Sequence, residues 1–141
     1  MKTRLLTLCL LVLACTFTTT LRAESKLEKR YAYTLKNLKL DKETEAKFGP
    51  VLKAYLTEKK AANKKYDDLK DKYKSAEKAG TLTDSQATQL LDAKLECAAK
   101  ELEVKKKYYE EFRKILKPKK IYYAFDLSND KMSKIEGKDK D

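Results

Sequence analysis

Helix-breaking residues are almost missing from this chain, and the few present sit at isolated points. Three Gly and two Pro occur in 141 residues: Gly49 beside Pro50, then Gly80, Pro118 and Gly137. Between them the sequence is rich in Ala, Leu, Glu and Lys, which favour helix. The expected fold is all-α with four helices. The first runs from about Ser25 to Asn37, with Leu27, Tyr31, Leu35 and Leu38 spaced for one face. The second runs from Lys42 to Ala79, and Gly49–Pro50 should kink it or split off its first turn. The third spans Asp84 to Leu116, and the fourth starts at Pro118 and frays before the charged tail, 138–141.

Each start has a local cause. Thr83 and Gln86 have the spacing of a capping box, with Leu82 and Ala87 placed as its hydrophobic staple. Asp41 can cap the second helix. Pro118 suits a first helical position, where its missing N–H costs nothing.

The two long segments carry heptad spacing. In the second helix, Phe48, Leu52, Tyr55, Lys59, Ala62 and Tyr66 are followed by Leu69, Tyr73 and Ala76. In the third, the series is Leu91, Leu95, Ala98, Leu102, Lys105, Tyr109, then Phe112 and Leu116. Joined by the turn at Gly80–Leu82, they predict an antiparallel hairpin with one register, Tyr73 facing Leu91 and Phe48 facing Leu116. That register sets Lys59 opposite Lys105 in the seam. Either both lysines snorkel outwards, Lys105 toward Glu101 one turn away, or the seam opens and they line a concave surface.

Composition removes several classes of function. With no His in the chain, the usual general base and commonest transition-metal ligand are lost. Three Gly leave no room for a phosphate-cradling loop. No catalytic residue, cofactor or metal site is expected. The protein reads as a binder, not an enzyme.

The N-terminal segment has the form of a secretory signal: Lys2 and Arg4, then an apolar run from Leu5 to Cys15, too short to span a bilayer. Cleavage after Ala23 would leave a single helical domain, 24–137, followed by a disordered charged tail, 138–141. It would also leave 30 basic and 22 acidic residues, a net charge of +8, since residues 1–23 hold Lys2, Arg4, Arg22 and no acid. Such a surface favours anionic partners, and export argues against nucleic acid. Val12–Cys15 loosely matches a lipobox, so a lipid on Cys15 is the rival processing route. Cys97 is then the one cysteine remaining, without an intramolecular disulfide.

A two-helix hairpin about 50 Å long, at 1.5 Å per residue, is too thin to bury a full core. Leu90, Cys97, Val104, Tyr108, Tyr122 and Tyr123, with Phe125, would remain to be covered. A homodimer is the economical expectation. Nine Tyr and no Trp suit a surface that is both wet and adhesive, although most tyrosines could simply pack the bundle.

Residues Leu82–Gln86 read LTDSQ, which resembles the LTxxQ motif of the Spy/CpxP family of periplasmic proteins. Leu40–Thr44 (LDKET) and Leu116–Lys120 (LKPKK) resemble degenerate copies at helix starts. The chain also resembles small, Lys- and Tyr-rich exported proteins of the Bacteroides group. The likeness spans roughly Leu27 to Phe125, and its best-matched motif lies at the hairpin turn. It implies a thin, cradle-like dimer acting as an ATP-independent periplasmic chaperone for unfolded or partly folded exported proteins. Lys59, Lys105, Tyr55, Tyr66 and Tyr109 are the candidate client contacts, with Leu82, Thr83 and Gln86 as the motif and helix cap. Two alternatives are an envelope-stress regulator that binds one partner and a structural outer-membrane lipoprotein.

Overall fold

The computed structural model describes residues 25–137, and their regular structure is entirely helical. The described residues form five helices: α1 (Lys26–Leu38), α2 (Lys42–Ala79), α3 (Asp84–Arg113), α4 (Pro118–Asn129) and α5 (Met132–Gly137). The expectation of four helices falls short by one. A break at Asp130 ends α4, and the chain forms another turn and a half of helix that buries Ile135. The expected signal segment, its Cys15 and the tail 138–141 lie outside the described residues.

The capping chemistry appears where the sequence puts it. Thr83 accepts from the Gln86 backbone N–H (3.2 Å), and the Gln86 side chain accepts from the Thr83 N–H (3.1 Å). Ser25 and Glu28 form a second capping box at the start of α1. Asp41 accepts from the Thr44 N–H at 2.9 Å, and Pro118 occupies the first turn of α4. α2 runs unbroken through Gly49–Pro50. Pro50 leaves the Ala46 carbonyl without its helical donor. Ala46 is exposed, so water can take that place. Gly49 gives room to α1: a Cβ there would meet the Tyr31 hydroxyl at 2.7 Å, so a larger residue requires that side chain to shift.

The helices organise two unlike regions. At the base, α2 contributes Phe48, Leu52, Tyr55 and Leu56 to the core, and α3 contributes Tyr108 and Phe112. Leu38, Leu116, Ile121 and Ala124 close it from the other helices and the α3–α4 link. Its aromatic rings interlock, Phe48 on Phe112 at 4.9 Å and Phe125 on both Phe112 (5.2 Å) and Tyr55 (5.5 Å). Basic side chains cap α1 and α4 across this region. Arg30 donates to the Ser128 and Asp130 carbonyls at the end of α4 (2.6 and 2.7 Å), and Lys120 donates to the Leu38 carbonyl at the end of α1. Both put positive charge at a helix C-terminus, where the helix dipole favours it.

Beyond the base, α2 and α3 continue as an antiparallel two-helix arm closed at Gly80, whose φ of 66° only glycine adopts freely. Its buried residues are Tyr73, Ala93 and Cys97. Polar contacts join the two helices: Tyr73 Oη to Gln89 (2.9 Å), Asn63 to Glu101 (3.1 Å), and a Lys65–Glu96 ion pair.

On the arm, the expected seam holds for α2 and fails for α3. Leu91, Leu95 and Leu102 are 60%, 69% and 50% exposed. Residues Leu90, Ala93, Cys97, Glu101, Val104 and Tyr108 occupy the inner side. Small Ala93 and Cys97 let the two backbones approach, whereas leucines at the contact would hold them apart. The premise for a dimer changes with this. Cys97 and Tyr108 are buried within one chain, Leu90, Val104 and Phe125 are half-buried, and only Tyr122 and Tyr123 of that group stay exposed.

Candidate functional site

The main unpartnered apolar surface is the outer side of α3. Leu91, Leu95, Ala98, Leu102 and Tyr109 recur at spacings of four, three, four and seven and so share one face of the helix. All are exposed. From Leu91 to Tyr109 the stripe is about 27 Å long at 1.5 Å per residue. Two residues further along the same heptad, Phe112 and Leu116, are buried in the base. The surface stripe is thus an extension of the core seam past the point where α1 and α4 stop covering it. Lys94 and Lys105 border one edge by helical position, and Lys106 and Arg113 the other. The Arg113 guanidinium lies 5.5 Å from the Tyr109 ring centroid.

Where the stripe reaches the base, Lys105, Lys106, Tyr109 and Phe125 line a hollow of about 220 Å³. Two of the residues singled out in the sequence, Lys105 and Tyr109, therefore meet. Lys59 does not face Lys105 as a bare pair of like charges. Glu101 stands between them, 3.5 Å from the Lys59 Nζ and 2.9 Å from that of Lys105. Asn63 donates to the same carboxylate, and Lys59 also donates to Asn129. Burial pushes the Lys59 ammonium below the usual lysine range, with Glu101 opposing that shift. For Glu101, burial works to raise the pKa, but Lys105, Asn63 and Lys59 outweigh it and leave the carboxyl below its ordinary value.

The other candidates separate. Tyr55 is fully buried, so it is a core residue and not a surface contact. Burial lifts its hydroxyl to about 12. That hydroxyl lacks a well-formed hydrogen bond; the neighbouring Ser128 offsets part of the burial while donating its own proton to the Phe125 carbonyl. Tyr66 is half-buried in the α2 seam. Leu82, Thr83 and Gln86 build the turn and cap α3, which accounts for their pattern structurally. Sequence reasoning missed the exposure of the leucine stripe. The 4–3 spacing was visible, but nothing in it says which neighbour the stripe faces. Tyr108 was expected on a dimer surface. Instead it donates to Glu58 at 2.7 Å, and burial, reinforced by that carboxylate, raises its hydroxyl to about 12.

Among the described residues, no group of three or more His, Cys, Asp or Glu side chains could hold a metal ion, and no helix is long and apolar enough to cross a membrane. No family model matches the chain, and comparison with curated proteins and with solved structures found no match.

Proposed function

We propose that this protein is an ATP-independent chaperone of the periplasm that holds unfolded or partly folded exported polypeptides on the outer stripe of α3. The observation that carries this reading is the exposure of Leu91, Leu95 and Leu102 in one row on a strongly basic chain. An open row of leucines supplies apolar contact without a defined pocket. Lysines along its edges attract chains over a longer range and tolerate varied sequences. Lys105 and Tyr109 belong to this surface, and Lys59 lies behind it through Glu101. The likeness of LTDSQ to the Spy/CpxP motif supports the same reading from the sequence.

The proposal extends to a homodimer. Its contact would lie off the α3 stripe, at the exposed Tyr122 and Tyr123 of α4, which leaves the leucine row open to clients. Sedimentation equilibrium tests this part separately: a mass of one chain at micromolar concentration contradicts it.

The chaperone reading is tested by diluting a denatured protein from denaturant, with and without this chain, in the absence of ATP. Suppression of light scattering near a one-to-one ratio, weakened by added salt, is the expected result. No suppression for several unrelated proteins overturns it and leaves a dedicated single partner as the better account.

A further inference from the structure

A second feature lies away from the stripe, in a groove of about 500 Å³ between α1, α2 and the α4–α5 break. Its floor is apolar, made by Leu27, Leu56 and Met132, and its walls carry Lys26, Arg30, Lys59 and Lys60 against a single acid, Asp67. The four cations are not equally engaged. Lys59 is held by Glu101 and Asn129, and the Arg30 guanidinium is held by two neutral carbonyls. Lys26 and Lys60 have no carboxylate partner among the described residues. The groove therefore holds uncompensated positive charge over an apolar floor, at a volume in the small-molecule range.

The amides in its wall limit what can fit. The Asn63 Nδ2 is spent on the Lys59 carbonyl (3.0 Å) and on Glu101 (3.1 Å). The Asn129 Nδ2 donates to the Phe125 carbonyl at 2.8 Å, while its Oδ1 accepts from Lys59. A peptide backbone laid here would find ammonium donors for its C=O groups but little beyond Asp67 to accept from its N–H groups, so N–H groups would be buried unpaired, which is unfavourable. An occupant with an apolar body and one charged head has no such cost.

We propose that this groove binds a single-chain anionic amphiphile of the fatty-acid class, its chain on Leu27, Leu56 and Met132 and its carboxylate between Lys26 and Lys60. Arg30 and Lys59 add positive potential from behind the head group. The site is separate from the α3 stripe, so it stands or falls independently of the chaperone reading.

The test is calorimetric titration of the purified protein with dodecanoate below its micelle concentration. Dodecyl maltoside (chain without charge), acetate (charge without chain) and a short apolar peptide with a free C-terminus serve as comparisons. One dodecanoate per chain is expected, with the other three probes binding at least about tenfold more weakly, a difference of about 1.4 kcal/mol. Lys26→Glu with Lys60→Glu, both on the exposed rim, should weaken dodecanoate by tenfold or more. Lys36→Glu with Lys119→Glu, the same change in net charge elsewhere, should leave it unchanged, as should Leu95→Lys with Leu102→Lys on the stripe. The proposal is overturned if dodecanoate does not bind, if dodecyl maltoside binds as well, if both charge pairs weaken binding equally, or if the peptide binds more tightly.

Discussion

The base and the arm are built from the same two helices, yet they use their residues in opposite ways. At the base, α2 and α3 are enclosed by α1 and α4, and large side chains from two sides of each helix are buried: Phe48, Leu52, Tyr55, Leu56, Tyr108 and Phe112. On the arm, each helix has only the other as a neighbour. The contact there falls to Ala93, Cys97 and Tyr73, and the leucines of α3 face outwards. The difference teaches that a heptad row describes a sticky surface without specifying its partner. The row from Leu91 to Leu116 is surface at one end and core at the other, according to whether another helix covers it.

Substitutions should break this contrast most visibly at Phe112. Phe112→Ala is expected to cost about 3–5 kcal/mol, as for other buried aromatics, while Leu95→Ala on the arm should stay within about 0.5 kcal/mol. Denaturant titration of both variants checks this; similar losses would mean that the arm leucine is packed after all.

High pH should attack the base through its tyrosines. The hydroxyls of Tyr55 and Tyr108 are both raised to about 12. Their protonated forms therefore stabilise the fold fully below the unfolded value of about 10, and that contribution is lost as pH climbs through the folded values. Tyrosinate absorbance followed with helix content should show these two rings ionising together with unfolding. Tyr55→Phe removes a buried hydroxyl that lacks a good partner, so it should be neutral or stabilising by up to about 1 kcal/mol and should delay the alkaline transition. A clear loss of stability would show that the hydroxyl is satisfied.

Where base meets arm, Glu101→Gln leaves Lys59 largely buried without its carboxylate. Both side chains keep about a fifth of their exposure, 17% for Lys59 and 21% for Glu101. A cost of about 1–2 kcal/mol is expected, between exposed and fully buried pairs. Thermal melting reads it, and no change would make the cluster a surface feature. At the arm tip, Thr83→Ala removes one half of the capping box and should cost about 1 kcal/mol. Hydrogen exchange should show that loss as faster opening of the first turns of α3, with the base unaffected.

Much of the fold was legible because it depends on local signals. The bounds of α2, the caps at Asp41 and Thr83, Pro118 in the first turn of α4 and the turn at Gly80 follow from side-chain hydrogen bonds and φ preferences within a few residues. The seam on α2 was legible too, since Phe48, Leu52 and Tyr55 face inward wherever their partners come from. The inner face of α3 was hidden because the strongest apolar signal, Leu91–Leu95–Leu102, lies about a third of a turn or more from the small residues that the arm contact prefers. Helix α5 was missed because its apolar residues, Met132 and Ile135, are too few to show a helical period, and the burial of Ile135 depends on packing against α1. The position of Glu101 between Lys59 and Lys105 was half visible: its pairing with Lys105 follows from helical spacing, but its reach to Lys59 depends on the helix rotation. Tyr55 was misplaced as a surface contact because heptad position alone does not tell enclosed base from open arm.

The central claim is that the outer row of α3 is a working surface and not a structural one. Its most direct test is Leu95→Lys with Leu102→Lys, assayed for melting temperature and for suppression of client aggregation on the same preparation. The account predicts an unchanged melting temperature with suppression abolished. Full suppression by the doubly substituted protein would contradict it and move the binding surface elsewhere on the molecule.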